Sequence, residues 1–71
     1  MKINEWTIDI SENLKTYWDK DNNRLAVLTK DDDEIHLTLE FDEENNVVIH
    51  PRWNVNFILN GEKSIKITTN S

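Results

Sequence analysis

The chain has no cysteine, a single glycine and a single proline among its 71 residues, and each shortage removes a class of answer. Without cysteine no disulfide can staple a small fold and no thiolate can hold zinc. One glycine cannot build a phosphate-cradling loop. No apolar run approaches the roughly 20 residues of a membrane span. Basic residues are few, 8 Lys and Arg against 14 Asp and Glu, for a net charge of −6. They are scattered from Lys2 to Lys66 with no basic patch, so neither nucleic acid nor an anionic membrane is expected as a direct partner. A protein with a basic surface is.

The first residues, Met1 to Trp6, lack the apolar core of a signal peptide, and no Asn-x-Ser/Thr acceptor occurs, so a cytoplasmic location is expected. Abundant Asn, Lys, Ile and Asp suit a gene poor in G and C, as in a bacterium or its phage. The length predicts one domain over residues 1–71. A chain this size buries only about 60 % of its unfolded surface and rarely nets more than about 3–5 kcal/mol from one core. That core must suffice alone, or a second copy must share the work.

What the chain has is alternation. In Glu34 to Phe41, Ile35, Leu37, Leu39 and Phe41 point one way, and Glu34, His36, Thr38 and Glu40 point the other, as in a strand with one buried face. Trp6, Ile8 and Ile10 form a similar stripe over Ile3 to Ile10. Leu25 and Val27 do so in Arg24 to Thr29, and Val47 and Ile49 in Val47 to His50. Trp53, Val55, Phe57 and Leu59 make the second strong stripe, and Ile65 and Ile67 the last, in Lys63 to Thr69. Leu14 to Trp18 reads as a strand from Thr16, Tyr17 and Trp18, or as a two-turn helix capped by Ser11 within residues 11–19. Asp19 to Asn23, Lys30 to Asp33 and Asp42 to Asn46 read as turns. Asn60-Gly61 predicts a two-residue hairpin, and Pro51 interrupts a strand. The expectation is all-β: a small antiparallel meander of about six or seven short strands, curled into a barrel or sandwich, with α+β as the alternative.

Chemistry finds little purchase in this pattern. Asp19-x-Asp21-x-Asn23 opens like a calcium loop, but Arg24 replaces the required glycine and Lys30 the closing Glu. His36 and His50 have no ligand spacing, and His36 is expected on the wet face. Ser11, Ser64 and Ser71 sit in no nucleophile motif. No cofactor, metal or catalytic residue is expected, and the chain does not read as an enzyme. The acids, in contrast, are bunched. In a meander, alternate turns share an end, so Asp19, Asp21, Asp42, Glu43, Glu44 and Glu62 gather at one end and Glu12, Asp31, Asp32, Asp33 and Glu34 at the other, beside Arg52.

Small, acidic and β-rich, the chain is similar as a class to phage-encoded DNA-mimic inhibitors, among them uracil-DNA glycosylase inhibitors, antirestriction proteins and some anti-CRISPR proteins. It carries no single family's motif, and the Glu-Ser-Ile signature of the glycosylase inhibitors is missing. The resemblance implies carboxylates standing in for phosphates on a nucleic-acid-binding surface. The partner-binding residues expected are Asp31, Asp32, Asp33, Glu34, Glu40, Asp42, Glu43 and Glu44, with Tyr17 as an aromatic anchor. The alternative is a homo-oligomeric β domain without catalytic activity, a homodimer pairing along Trp53 to Leu59 or Ser64 to Thr69, with Ile58 and Val48 between subunits.

Overall fold

Alternating segments do become strands. The computed structural model describes residues 1–31, 33–53 and 55–69. It contains β1 (Lys2–Ile3), β2 (Trp6–Ile10), β3 (Leu14–Asp19), β4 (Arg24–Thr29), β5 (Ile35–Phe41), β6 (Val47–Pro51), β7 (Val55–Leu59) and β8 (Ser64–Thr69), and no helix among the described residues. None of these residues therefore forms a helix long and apolar enough to cross a membrane. The ambiguous segment Leu14 to Trp18 is strand β3. It pairs along its whole length with β4, which supplies the backbone partners a two-turn helix would lack.

The strands form two four-stranded sheets, ordered β1-β2-β8-β7 and β3-β4-β5-β6, that do not close into a barrel. Between them Ile8, Leu14, Leu25, Val27, Leu37, Leu39, Phe41, Val55, Ile65 and Ile67 make the core, so the arrangement is a sandwich. The second sheet is the expected meander. The first is not, because β2 and β8 pair in parallel, Ile8 beside Ile65 and Ile10 beside Ile67. Consequently β8 is an inner strand rather than an edge, and β7 is the edge. The first expected strand also divides: Asn4, at φ 54°, folds β1 back on β2.

Two positions reverse the alternation. His36, expected on the wet face, is 2 % exposed, whereas Ile35, expected inside, is 37 % exposed. The cause is a β-bulge. Val27 pairs with Leu37 but Leu28 pairs with Ile35, so His36 is an extra residue. A bulge sends two consecutive side chains to the same face, and here His36 and Leu37 both go in. The His36 Nδ1–H donates to the Trp53 carbonyl at 3.0 Å, and the rings meet edge to face.

The second strong stripe is only partly covered. Val55 is buried, but Trp53, Phe57 and Leu59 remain exposed. β7 has strand β8 on one side and no other strand on the other among the described residues. Trp53 lies under the Arg52 guanidinium, 4.8 Å from its ring centre. Trp18 keeps its inward side, tilted against Phe41, yet stays partly exposed on edge strand β3. The Asn60-Gly61 hairpin turns where expected but with a longer loop. Asn60 N–H donates to Ser64 O at 2.8 Å, and the positive φ values fall on Gly61 (99°) and Lys63 (54°) rather than on Asn60.

Candidate functional site

Strand direction decides where the turns meet. β3 runs toward Asp19 and β4 returns from Arg24; β5 runs toward Phe41 and β6 returns from Val47. The β3–β4 and β5–β6 loops therefore leave the same end of their sheet, next to one another. Phe41 N–H donates to Asn23 O at 2.9 Å, stitching the loops together. The other sheet adds to this end through Trp6, whose Nε1–H reaches Asn45 O at 2.6 Å. Since β2 starts here and β8 runs parallel to it, the β7–β8 loop with Glu62 and the β1–β2 turn with Glu5 lie here too. One end of the sandwich thus collects Glu5, Asp19, Asp21, Asp42, Glu43, Glu44 and Glu62.

Two of the carboxylates at this end are held by their own loops. Asp42 Oδ1 accepts from the backbone N–H groups of Glu44 and Asn46, both at 2.9 Å, and its Oδ2 accepts from the Asn46 side chain at 3.2 Å. The Asn46 backbone bond is the main reason its carboxyl is held below the usual carboxylate range. Asp19 repeats the device one loop away, accepting from the Asn22 side chain at 2.8 Å and from Asp21 N–H at 3.2 Å. Its pKa is lowered chiefly by the Asn22 bond. Asx bonding of this kind fixes the turn, so neighbouring acids project from a set backbone.

Cations stand at this end too: Lys20 lies between Asp19 and Asp21 in the β3–β4 loop, and Lys2 is near Glu5. Lys63 Nζ pairs with Glu5 at 2.7 Å, and that hydrogen bond is the first cause of a lowered Glu5 pKa. Arg24 lies 3.8 Å from Glu40 on the outer face of the second sheet. Asp21, Asp42, Glu43 and Glu44 make no ion pair with the described residues. Acids outnumber cations here, and these four carry charge that no ion pair among the described residues offsets.

The opposite end differs. Asp31, Asp33 and Glu34 sit in or beside the β4–β5 loop, and Glu12 sits in the β2–β3 link, which Lys30 N–H joins by a bond to Asn13 O at 3.3 Å. Lys15 pairs with Asp33, Lys30 adjoins Asp31 in the chain, and Arg52 is brought near by its N–H bond to His36 O at 2.9 Å. Here Lys15, Lys30 and Arg52 stand against Glu12, Asp31, Asp33 and Glu34 among the described residues, a closer balance of sign than at the first end. Asp32 lies outside the described residues.

Glu40 belongs to neither end. It stands on the outer face between Arg24 and His50, whose Nε2 is 3.3 Å away. Tyr17, 60 % exposed, shares that face, in a row with Ala26, Thr38 and His50. The small side chains beside it leave a shallow depression of about 300 Å³ that Tyr17, Leu28 and Ile35 help to line. The expected partner-binding residues therefore fall in three places: Asp42, Glu43 and Glu44 at the acidic end, Asp31, Asp33 and Glu34 at the other, and Glu40 with Tyr17 on the face between. Asp19 and Asp21 join the first group, a membership that hairpin parity already implied. Glu5 was not foreseen at this end, because nothing in Ile3 to Ile10 marks the break at Asn4.

Among the described residues no three acidic or histidine side chains converge as metal ligands. Compared with protein-family models, with curated proteins and with solved structures, the chain matches none.

Proposed function

We propose that this chain is a small binding protein that docks its acidic end on the basic, nucleic-acid-binding surface of a larger protein, as an inhibitor of DNA-mimic type. The observation that carries the reading is the junction of two acidic loops at one end, joined by the Phe41–Asn23 bond and with Asp19 and Asp42 bonded into their own turns. Carboxylates on a fixed frame lose little freedom when they meet Lys and Arg, so the ordering cost of binding is low. A concentrated negative end steers a basic partner into contact and gives an association that salt weakens. An anti-CRISPR or antirestriction role, encoded by a phage, is one form this activity takes.

The test is a pull-down from bacterial lysate at low and high salt, with the parent chain and two variants. D21N/E43Q/E44Q neutralises acids that make no loop bond through their side chains. D31N/E34Q removes two charges from the opposite end, against three in the first variant. Capture of a nucleic-acid enzyme at low salt, its release at high salt, and its loss in the first variant alone support the reading. An unchanged set of captured proteins with D21N/E43Q/E44Q rejects it.

A further inference from the structure

Each sheet has two edge strands, and three of the four are protected. β1 is two residues long. β3 carries Lys15 and Asp19. β6 ends in Pro51, which has no N–H to offer, and follows directly on the acidic loop. β7, Val55-Asn56-Phe57-Ile58-Leu59, has no charge, no proline and no break in its register with β8. Exposed edges of this kind are normally blunted.

The backbone of β7 is aimed at a partner. Asn60 N–H bonds to Ser64 O, and in an antiparallel pair the bonded residues alternate. Asn56 and Ile58 therefore turn their backbone groups toward β8, while Val55, Phe57 and Leu59 turn N–H and C=O outward. Exposed apolar side chains stand on both faces of this edge: Phe57 and Leu59, the latter 67 % exposed, on one, and Ile58, 58 % exposed, beside Asn56 on the other.

We propose that β7 pairs antiparallel with β7 of a second copy across a two-fold axis at Phe57, joining two four-stranded sheets into one continuous sheet. In that register Phe57 faces its own counterpart, and Val55 and Asn56 face Leu59 and Ile58 of the other copy. Every outward N–H and C=O of Val55, Phe57 and Leu59 then finds a partner. Shifting the register by one residue to either side leaves some unmet.

Charge selects the second copy and the direction. Exposed Arg52, just before β7, is brought alongside the turn that contains Glu62 in the other copy. The two acidic ends are carried to opposite ends of the assembly. Parallel pairing would set those ends side by side in a chain of net charge −6, and like charges in proximity oppose it. The dimer goes beyond the docking function and leaves both acidic ends open to partners.

Light scattering over a concentration series should give twice the monomer mass for the parent chain and the monomer mass for Ile58→Lys, with circular dichroism confirming that the variant is folded. Register is read by cross-linking, which is clean because the chain has no cysteine of its own. Directly opposed bonded residues have Cα atoms about 5.5 Å apart, within disulfide reach. Phe57→Cys should form a linked dimer under mild oxidation, well ahead of Ile58→Cys. A parent chain that stays monomeric, a dimer indifferent to Ile58→Lys, or faster linkage at position 58 would each overturn the proposal. None of these outcomes depends on whether D21N/E43Q/E44Q affects the pull-down.

Discussion

Replacing Trp6 by Phe should loosen the tie between the two sheets at the acidic end. The Trp6 Nε1–H donates to Asn45 O at 2.6 Å, across 39 residues of sequence, and the ring packs against the core. Phenylalanine keeps most of the ring contact and removes the donor. A neutral hydrogen bond nets about 0.5–1.5 kcal/mol, and the smaller ring forfeits on the order of several tenths of a kcal/mol in buried area. The expected loss is about 1–2 kcal/mol. For a domain of this size about 1 kcal/mol moves the melting point by roughly 4–8 °C, so a drop of about 5–15 °C follows. Far-UV circular dichroism is the suitable probe, since fluorescence itself changes when one of three tryptophans is removed. Amide exchange should also quicken in the Glu43–Asn46 turn. Trp18→Phe is the control: that indole N–H makes no hydrogen bond within the described residues, and its ring lies on an edge strand. A Trp6→Phe melt within about 2 °C of the parent, or an equal loss in Trp18→Phe, would refute the reasoning.

Leu39 is fully buried on β5 between Leu25 and Ile49. Leu39→Ala should cost about 2–5 kcal/mol, comparable with the whole stability of a domain this size, and abolish a cooperative urea transition that exposed Val48→Ala leaves in place. Asp42, Asp19 and Glu5 all have pKa values lowered in the fold, so their stabilisation is complete above the ordinary carboxylate range. It is lost as pH falls through the lowered values. Urea midpoints should therefore fall on acidification, and less steeply for Asp42→Asn; a pH-independent midpoint would contradict the loop bonds. Gly61, at φ 99° with open space where a Cβ would stand, should lose about 1–2 kcal/mol on change to Ala through backbone strain alone, read as a lower melting point. Unchanged or raised stability would mean that the loop does not hold that angle.

Much of the architecture was legible because local patterns dictate it. Period-two alternation marks a strand whatever its neighbours. Arg24 to Thr29 was placed to the residue, and the central strand, read from Glu34 to Phe41, to within one. The hairpins of the second sheet follow from short Asp- and Asn-rich turns, and so does the convergence of the Asp19–Asp21 and Asp42–Glu44 loops, since parity alone sends alternate turns to one end. His36 was not legible. Its burial comes from a bulge opposite Val27 and Leu28, a property of the pairing between strands and not of either strand alone.

By itself the sequence determined an all-β chain with its acids bunched in turns, because both depend on the order of side chains along a few consecutive residues. Only the tertiary structure decided that β2 and β8 lie parallel, that β8 is enclosed while β7 stands at the edge, and that Phe57 and Leu59 reach past the core. Those outcomes depend on which strands lie side by side. Ile8, Ile65, Val55 and Phe57 are equally apolar wherever they are placed, so the choice among partners is made by packing the two sheets face to face.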